Sequence, residues 1–272
     1  MPDNRTLKES VRDFWNEKSC GEVYAKGSGI REQLAEQAAE RYRLEPIIFE
    51  FAGFARGAGK DVLEIGVGMG ADHLEWAKAK PRTLAGIDLT PRAIGFTSER
   101  LAAYGFHSDL RTADAEQLPF GDAQFDVVYS YGVLHHSPDT TQAIREVERV
   151  LRPGGVAIVM IYHSPSVVGW MLWVRYGVLR AKPARSMKDI YAEHLESPGT
   201  KAFSVREAEA MFTGFSQVTC EVILGPGDLL EGAVGQRHGG VLLRVARALW
   251  PRWFIRRFLT AYGLGMFIKA VK

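Results

Sequence analysis

Between residues 61 and 162, short runs of β-branched and apolar residues alternate with stretches of helical period. The runs fall at 62–65, 83–87, 108–112, 125–130 and 156–162. Such alternation is the pattern of parallel βαβ units, in which each strand feeds a helix that returns over the sheet. The helices between them have readable ends. Thr90 before Pro91 is an N-cap followed by proline at the first helical position, and Gly105 closes that helix. Apolar positions 143, 144, 147, 150 and 151 mark one face of another helix, with Pro153-Gly154-Gly155 as its stop. The block predicts an open doubly wound α/β sheet.

Upstream, residues 31–55 are helical by period, with Leu34, Ala35, Ala38, Ala39 and Tyr42 on one side and Pro46 starting a second helix. Downstream, 166–181 predict an apolar helix and 205–211 a further helix after the turn at Pro198-Gly199. Residues 217–224 and 265–271 read as strands that no βα rhythm separates, which predicts an antiparallel pair at a sheet edge. The segment between them, rich in Trp, Arg and Leu and broken by Pro251, predicts an inserted helical element. The division expected is a helical N-terminal segment over 1–55, a doubly wound core over 56–162, and cap insertions with a closing strand pair over 163–272.

Composition adds bounds. The chain has 272 residues, 46% of them hydrophobic and 24% charged, which is ordinary for a globular domain carrying a cap. Cys20 and Cys220 are far apart and in no metal-ligand spacing, which argues against a structural zinc site or a disulfide framework. The polar start MPDNRTLKES lacks a signal-peptide core, and no run of 18 apolar residues occurs. The expectation is a cytoplasmic, non-spanning protein. The net charge of +2 conceals an asymmetry: residues 225–272 hold eight Lys/Arg against two Asp/Glu. That basic end can meet a membrane or another anionic surface, or form a solvated face.

Candidate chemistry begins at Val62-Leu63-Glu64-Ile65-Gly66-Val67-Gly68-Met69-Gly70, a buried strand running into a glycine-rich turn and a helix. Glycines let backbone N–H groups approach a ligand, and the helix start favours negative charge. Asp88 ends the second strand, where a carboxylate can accept both ribose hydroxyls of an adenosine. A dinucleotide oxidoreductase and an S-adenosylmethionine site both fit. The GxGxG spacing, in place of GxGxxG, favours the second.

With five motifs in order, residues 58–162 resemble the class I S-adenosylmethionine-dependent methyltransferases. The motifs are VLEIGVGMG (62–70), GIDLT (86–90), ADAEQLPF (113–120), FDVVYSYGVLHHSPD (125–139) and RVLRPGG (149–155). The resemblance implies a seven-stranded Rossmann-like sheet with helices on both faces and an antiparallel last strand. It implies that Glu64 anchors the network around the methionine amino group, and that Gly66 and Gly68 line the methionine and ribose portion. Asp88 would bind the ribose and Leu89 lie beside the adenine. Asp114 would accept from the adenine amino group, the Ala115 amide donate to the ring, and the Ser130 carbonyl receive the methionine amino group. Phe14, Trp15 and Tyr24 would belong to an aromatic lid over the cofactor, the alternative being that Phe14 and Trp15 pack on the sheet.

Methyl transfer asks the protein for alignment, dryness and, for some acceptors, a base. Candidate bases stand at strand ends: His135 and His136 after the fourth strand, Tyr162 and His163 at the end of the fifth. No Asn-Pro-Pro-Tyr or Pro-Cys segment follows the fourth strand, which sets aside adenine-amino and cytosine-C5 methylation. No carboxylate cluster calls for magnesium, so no metal is expected. The apolar 167–174 segment, with Trp170 and Trp173, suits a greasy ligand. The favoured reading is transfer to a small apolar or amphipathic acceptor at O, N, S or C, with nucleic acid not expected as a partner. The alternatives are an RNA or protein methyltransferase docking through the basic 244–257 element, in which Arg244, Arg247, Arg252, Arg256 and Arg257 accompany Trp250, Trp253 and Phe254, and a degenerate core that binds cofactor without turnover.

Overall fold

The computed structural model describes residues 4–25, 29–231 and 247–272. Seven strands form one sheet: β1 (Asp61–Ile65), β2 (Thr83–Asp88), β3 (Asp109–Thr112), β4 (Phe125–Tyr131), β5 (Leu151–Tyr162), β6 (Gln217–Ile223) and β7 (Gly265–Val271). Their order is β3-β2-β1-β4-β5-β7-β6. The pairs from β3 through β5 are parallel, and β7 runs antiparallel between β5 and β6. The two late strands therefore pair as expected, but β7 is the inner one and inserts beside β5.

Period-two alternation sorts the strand side chains onto two buried faces. Leu63, Ile65, Val128, Val159, Ile161 and Ile268 pack on one side, and Val62, Val127, Tyr129, Ile158 and Phe267 on the other. Every residue of β1 is buried, as a central strand covered on both faces requires. The first face is covered by α6 (Thr140–Val150) and α9 (Val205–Met211). The second is covered by α3 (Ile47–Ala52), α4 (Ala71–Lys78) and α5 (Pro91–Ala103). Thr90 caps α5 by accepting from the Ala93 amide, and Asp139 caps α6 by accepting from Gln142. α6 ends earlier than the apolar spacing implies. Leu151 is already extended and starts β5, and the register shifts there between Phe125↔Leu151 and Val127↔Val156, so Pro153-Gly154-Gly155 lie within the strand's span instead of terminating the helix.

The remaining helices surround the C-terminal ends of the parallel strands. They are α1 (Asn4–Glu17), α2 (Ile30–Leu44), α7 (Val167–Tyr176), α8 (Met187–His194) and α10 (Arg252–Phe258). The predicted 166–181 helix breaks at Gly177, and a 3-10 turn follows over Val178–Arg180. α2 is tied down by Arg100, a wholly buried guanidinium on α5. It donates to the Met69 carbonyl at 2.6 Å, the Leu34 carbonyl at 2.8 Å and Gln37 Oε1 at 2.6 Å. Burial pulls its pKa down to about 10. No helix among the described residues is long and apolar enough to cross a membrane.

Asp228 stitches the segment after β6 to the start of β7. It is wholly buried, and its Oδ2 accepts from the Gly225 and Leu264 amides at 2.9 Å. Burial pushes this carboxyl up to about 6.

Two predictions follow from this packing. A Cβ on Gly66, where φ is +83°, would lie 2.2 Å from Val133 Cγ2, whereas one on Gly68 (φ +53°) meets nothing within 4 Å. Gly66→Ala should therefore cost about 2–4 kcal/mol in urea unfolding, from strain plus overpacking, and Gly68→Ala only about 1–2 kcal/mol. The second concerns pH. Between the unfolded carboxyl value near 4 and the folded value of about 6, folded Asp228 holds a proton that the unfolded chain has lost. Stability is thus higher below this window and falls as pH rises through it. Asp228→Asn should shrink the difference in unfolding free energy between pH 4 and pH 7 by about 2 kcal/mol.

Candidate active site

A cavity of about 1310 Å³ opens where the C-terminal ends of β1, β2, β4 and β5 meet the flanking helices. That exceeds a typical small-ligand pocket of roughly 300–1,000 Å³, so there is room for two ligands side by side. One end is polar and built on the glycine turn. Gly66, Gly68, Asp88, Leu89, Asp114 and Ala115 line it, with Glu64 at its floor.

Asp88 is held by its neighbours. Oδ1 accepts from the Thr90 amide and hydroxyl, both at 2.9 Å, and Oδ2 accepts from the Gly68 amide at 3.1 Å. Burial pushes its pKa above the ordinary carboxylate value, and these donated bonds oppose that push. A carboxylate has about four acceptor sites, so capacity remains for a diol. The open space beside Gly68 and Gly132, where a Cβ would touch nothing within 4 Å, leaves a cradle at the turn that fits a nucleoside.

Glu64 belongs to a buried chain that the sequence did not reveal. Ser108 Oγ gives its proton to the Leu84 carbonyl at 2.8 Å and so accepts from His73 Nε2 at 2.8 Å. Nδ1 of the neutral ring is then an acceptor, and its 2.9 Å bond to Glu64 Oε2 requires the carboxyl to carry the proton. Electrostatics agree. Burial drops His73 to about 3, and burial plus the Asp72 charge pushes Glu64 upward.

Asp114 is paired with Lys8 of α1, which also reaches Glu116 Oε2 at 2.7 Å. Nothing in the local motif announces this partner 106 residues away. α1 also carries Trp15, which lines the cavity and stands edge-on to His136 with centroids 5.2 Å apart. Tyr24 lines the cavity from the 3-10 turn Glu22–Tyr24, while Phe14 lies behind Trp15.

The other end of the cavity is largely apolar. Val168, Met171, Leu172, Leu195, Leu224, Leu264 and Phe267 line it. On α7 the lining face is Val168, Met171 and Leu172. Trp170 instead packs on Tyr262, and Trp173 joins the cluster around α8. Of the basic element, Arg247 and Arg256 line the cavity, and Arg256 pairs with Glu231 at 2.8 Å. Trp250 Nε1 donates to the Asp228 carbonyl, Arg252 donates to the Leu229 carbonyl, and Trp253 and Phe254 are exposed. Arg257 lies over the Phe258 ring, and Arg244 is outside the described residues.

Where the two ends meet stand His136, Tyr162 and Glu196. Tyr162 donates to Glu196 Oε2 at 2.8 Å, and His136 Nε2 lies 3.4 Å from the same oxygen. His136 Nδ1 contacts Ser197 Oγ at 2.8 Å and Thr200 Oγ1 at 3.1 Å. The other candidates are elsewhere. His135 is fully buried behind Tyr162, its ring stacked 3.8 Å away, and does not line the cavity. His163 donates from Nδ1 to the Gly263 carbonyl at 3.0 Å and also stands outside it. Ser130 is buried with its hydroxyl donating to the Ile65 carbonyl, so the wall after β4 is formed by Tyr131, Gly132 and Val133. Glu196, Lys8 and His73 were missed because each is a lone polar residue on a helix or connecting segment.

Residues 63–159 match a family model described as a methyltransferase domain. A 27-O-demethylrifamycin SV methyltransferase from Amycolatopsis mediterranei is 40% identical over 102 residues, 36% of this chain and 37% of that protein. The match to that relative thus spans little more than a third of its length. Methyltransferase GfsG from Streptomyces halstedii is 28% identical over 228 residues, 82% of this chain and 75% of that protein. Among solved structures, the magnesium protoporphyrin IX methyltransferase of Synechocystis PCC 6803 with bound SAH shares the fold. Its TM-score is 0.58 at 15% identity, over 98% of this chain and 99% of that one. With this strand order, the glycine turn and the acidic end of β2 in their places, residues 63–159 match a methyltransferase domain set in a seven-stranded Rossmann-like sheet of the methyltransferase type.

Proposed function

We propose that the protein transfers a methyl group from S-adenosylmethionine to a small, apolar or amphipathic acceptor. The observation that carries this is the continuity of the cavity, from the Asp88 and glycine end to the apolar wall of α7 and β7. Relatives named for the methylation of small molecules, the rifamycin enzyme among them, support the same class of acceptor. When bound, S-adenosylmethionine supplies an electrophilic methyl group on a sulfonium.

The chain's residues then have separable tasks. Asp88 takes the ribose hydroxyls, Gly66, Gly68 and Glu64 receive the methionine portion, and Leu89, Asp114 and Ala115 receive the adenine. The Ser130 side of the wall contributes backbone through its neighbours Tyr131 to Val133. Residues 1–55 act as the lid over the 56–162 core, with Trp15 and Tyr24 excluding water, and 163–272 complete the acceptor end. Holding both reactants in one dry cavity is the larger part of the work, since alignment can supply roughly 7–11 kcal/mol. His136, Tyr162 and Glu196 form the polar junction against which the acceptor's attacking atom lies. His135 supports this junction from behind the wall by stacking on Tyr162, and His163 holds the Gly263 carbonyl.

The test is incubation with methyl-labelled S-adenosylmethionine and cell extract, counting label in organic, aqueous small-molecule and macromolecular fractions. Label in the organic fraction is expected, and label confined to precipitable RNA or protein would overturn the acceptor class. Asp88→Ala should weaken calorimetric S-adenosylhomocysteine binding by about 10–100-fold, the worth of a charge-assisted hydrogen bond. His136→Ala should leave that binding unchanged and lower kcat by about 10²-fold or more.

A further inference from the structure

Among the described residues, three ring nitrogens at the junction lack hydrogen bonds. Neither nitrogen of His135 has a partner, although the residue is wholly buried, and His136 Nε2 has none either. Buried polar groups are nearly always paired, so three such atoms on adjacent residues call for an explanation. Among the described residues, His135, His136 and Glu196 each offer one donor atom, and these atoms all lie within 4.8 Å of one another.

We propose that His135, His136 and Glu196 hold a divalent transition-metal ion of the zinc or iron type, with an open coordination position facing the acceptor end of the cavity. Two imidazoles and one carboxylate form a donor set that suits such ions, and all-oxygen sites suit magnesium or calcium instead. The supports around the donors are those that ligands need. Ser197 and Thr200 occupy His136 Nδ1 and turn Nε2 toward Glu196. The Tyr162 hydroxyl bonds Glu196, and its ring fixes the plane of His135 by stacking. Metal–nitrogen bonds of about 2.0–2.1 Å set donor atoms about 3.3 Å apart in a tetrahedral site. The His136–Glu196 pair, at 3.4 Å, already meets that spacing, so binding needs the widest pair to close by rotation of a ring. His136 and Glu196 line the cavity and His135 does not, so the ion's unprotected side faces the acceptor.

Only this last direction rests on the proposed function; the site itself stands on the side chains. The test strips the full-length protein with chelator and titrates it with Co²⁺, followed by visible absorption, and then with Zn²⁺ in competition. One Co²⁺ per chain, displaced by Zn²⁺ and insensitive to excess Mg²⁺, is expected. Glu196→Gln and His136→Gln should each weaken Co²⁺ binding by more than the roughly 10-fold that loss of an outer partner costs. Unchanged near-ultraviolet circular dichroism will show that each variant folds. No stoichiometric Co²⁺ band, or binding that both variants retain at full affinity, would overturn the site. S-adenosylhomocysteine affinity of the stripped wild-type protein, measured separately, reports on the nucleoside end alone. Failure of the metal site is thereby distinguishable from failure of the methyltransferase reading.

Discussion

A buried carboxylate ties α2 to the glycine loop and to β4. Asp72, in the first turn of α4 behind the glycine loop, is removed from water, which penalises its charge. The Arg41 charge overcomes that penalty and holds the pKa below its ordinary value. Arg41 binds both oxygens, at 3.0 and 2.7 Å, and the hydroxyls of Tyr42 and Tyr129 complete the set at 3.0 and 2.7 Å. These partners come from α2 and from β4, so satisfying one charge forces helix, loop and strand into one arrangement. A buried ion left short of any partner is costly, which makes this geometry a requirement on the fold more than a gain in stability.

The same logic runs through the cavity. Among the described residues Arg100 has no carboxylate partner and is satisfied by carbonyls from α2 and from the glycine loop, so the loop's shape depends on an earlier helix. Asp88 is oriented by Thr90 and Gly68, and Asp114 is engaged by a lysine from α1. Polar groups at the nucleoside end are thus positioned by a second layer of residues, which lets them meet a ligand without rearranging. The acceptor end is different in kind. It is shaped by apolar packing from α7, β7 and the segment after β6, with polarity concentrated at His136, Tyr162 and Glu196. Chemistry at this junction is set by which ring nitrogens are engaged, and by what.

Legibility in the sequence followed locality. The strands of the core are apolar runs with glycine or proline punctuation, and all five were readable within a few residues of their observed ends. The one larger departure, at Leu151, has a local cause. Its apolar character serves a helix face and a strand start equally well, and pairing with Phe125 decides for the strand. Trp170 and Trp173 misled for a related reason. A helix apolar on all sides gives no clue to which face meets a ligand, and the smaller Val168, Met171 and Leu172 do so because the tryptophans are engaged by Tyr262 and α8.

By itself the sequence determined the class of sheet, the glycine turn after β1, the acidic end of β2 and the family these motifs resemble. Each is written in residues that are close along the chain and whose physics is backbone geometry or strand period. Tertiary structure alone decided that Lys8 meets Asp114, that Glu64 bonds to His73, and that Glu196 stands beside His136 while His135 does not line the cavity. These pairings join the motif residues Asp114, Glu64 and His136 to partners, Lys8, His73 and Glu196, that are isolated on their own elements and carry no motif signal. They exist because crossover connections return distant segments to the same end of the sheet, where burial obliges every polar group to find a partner.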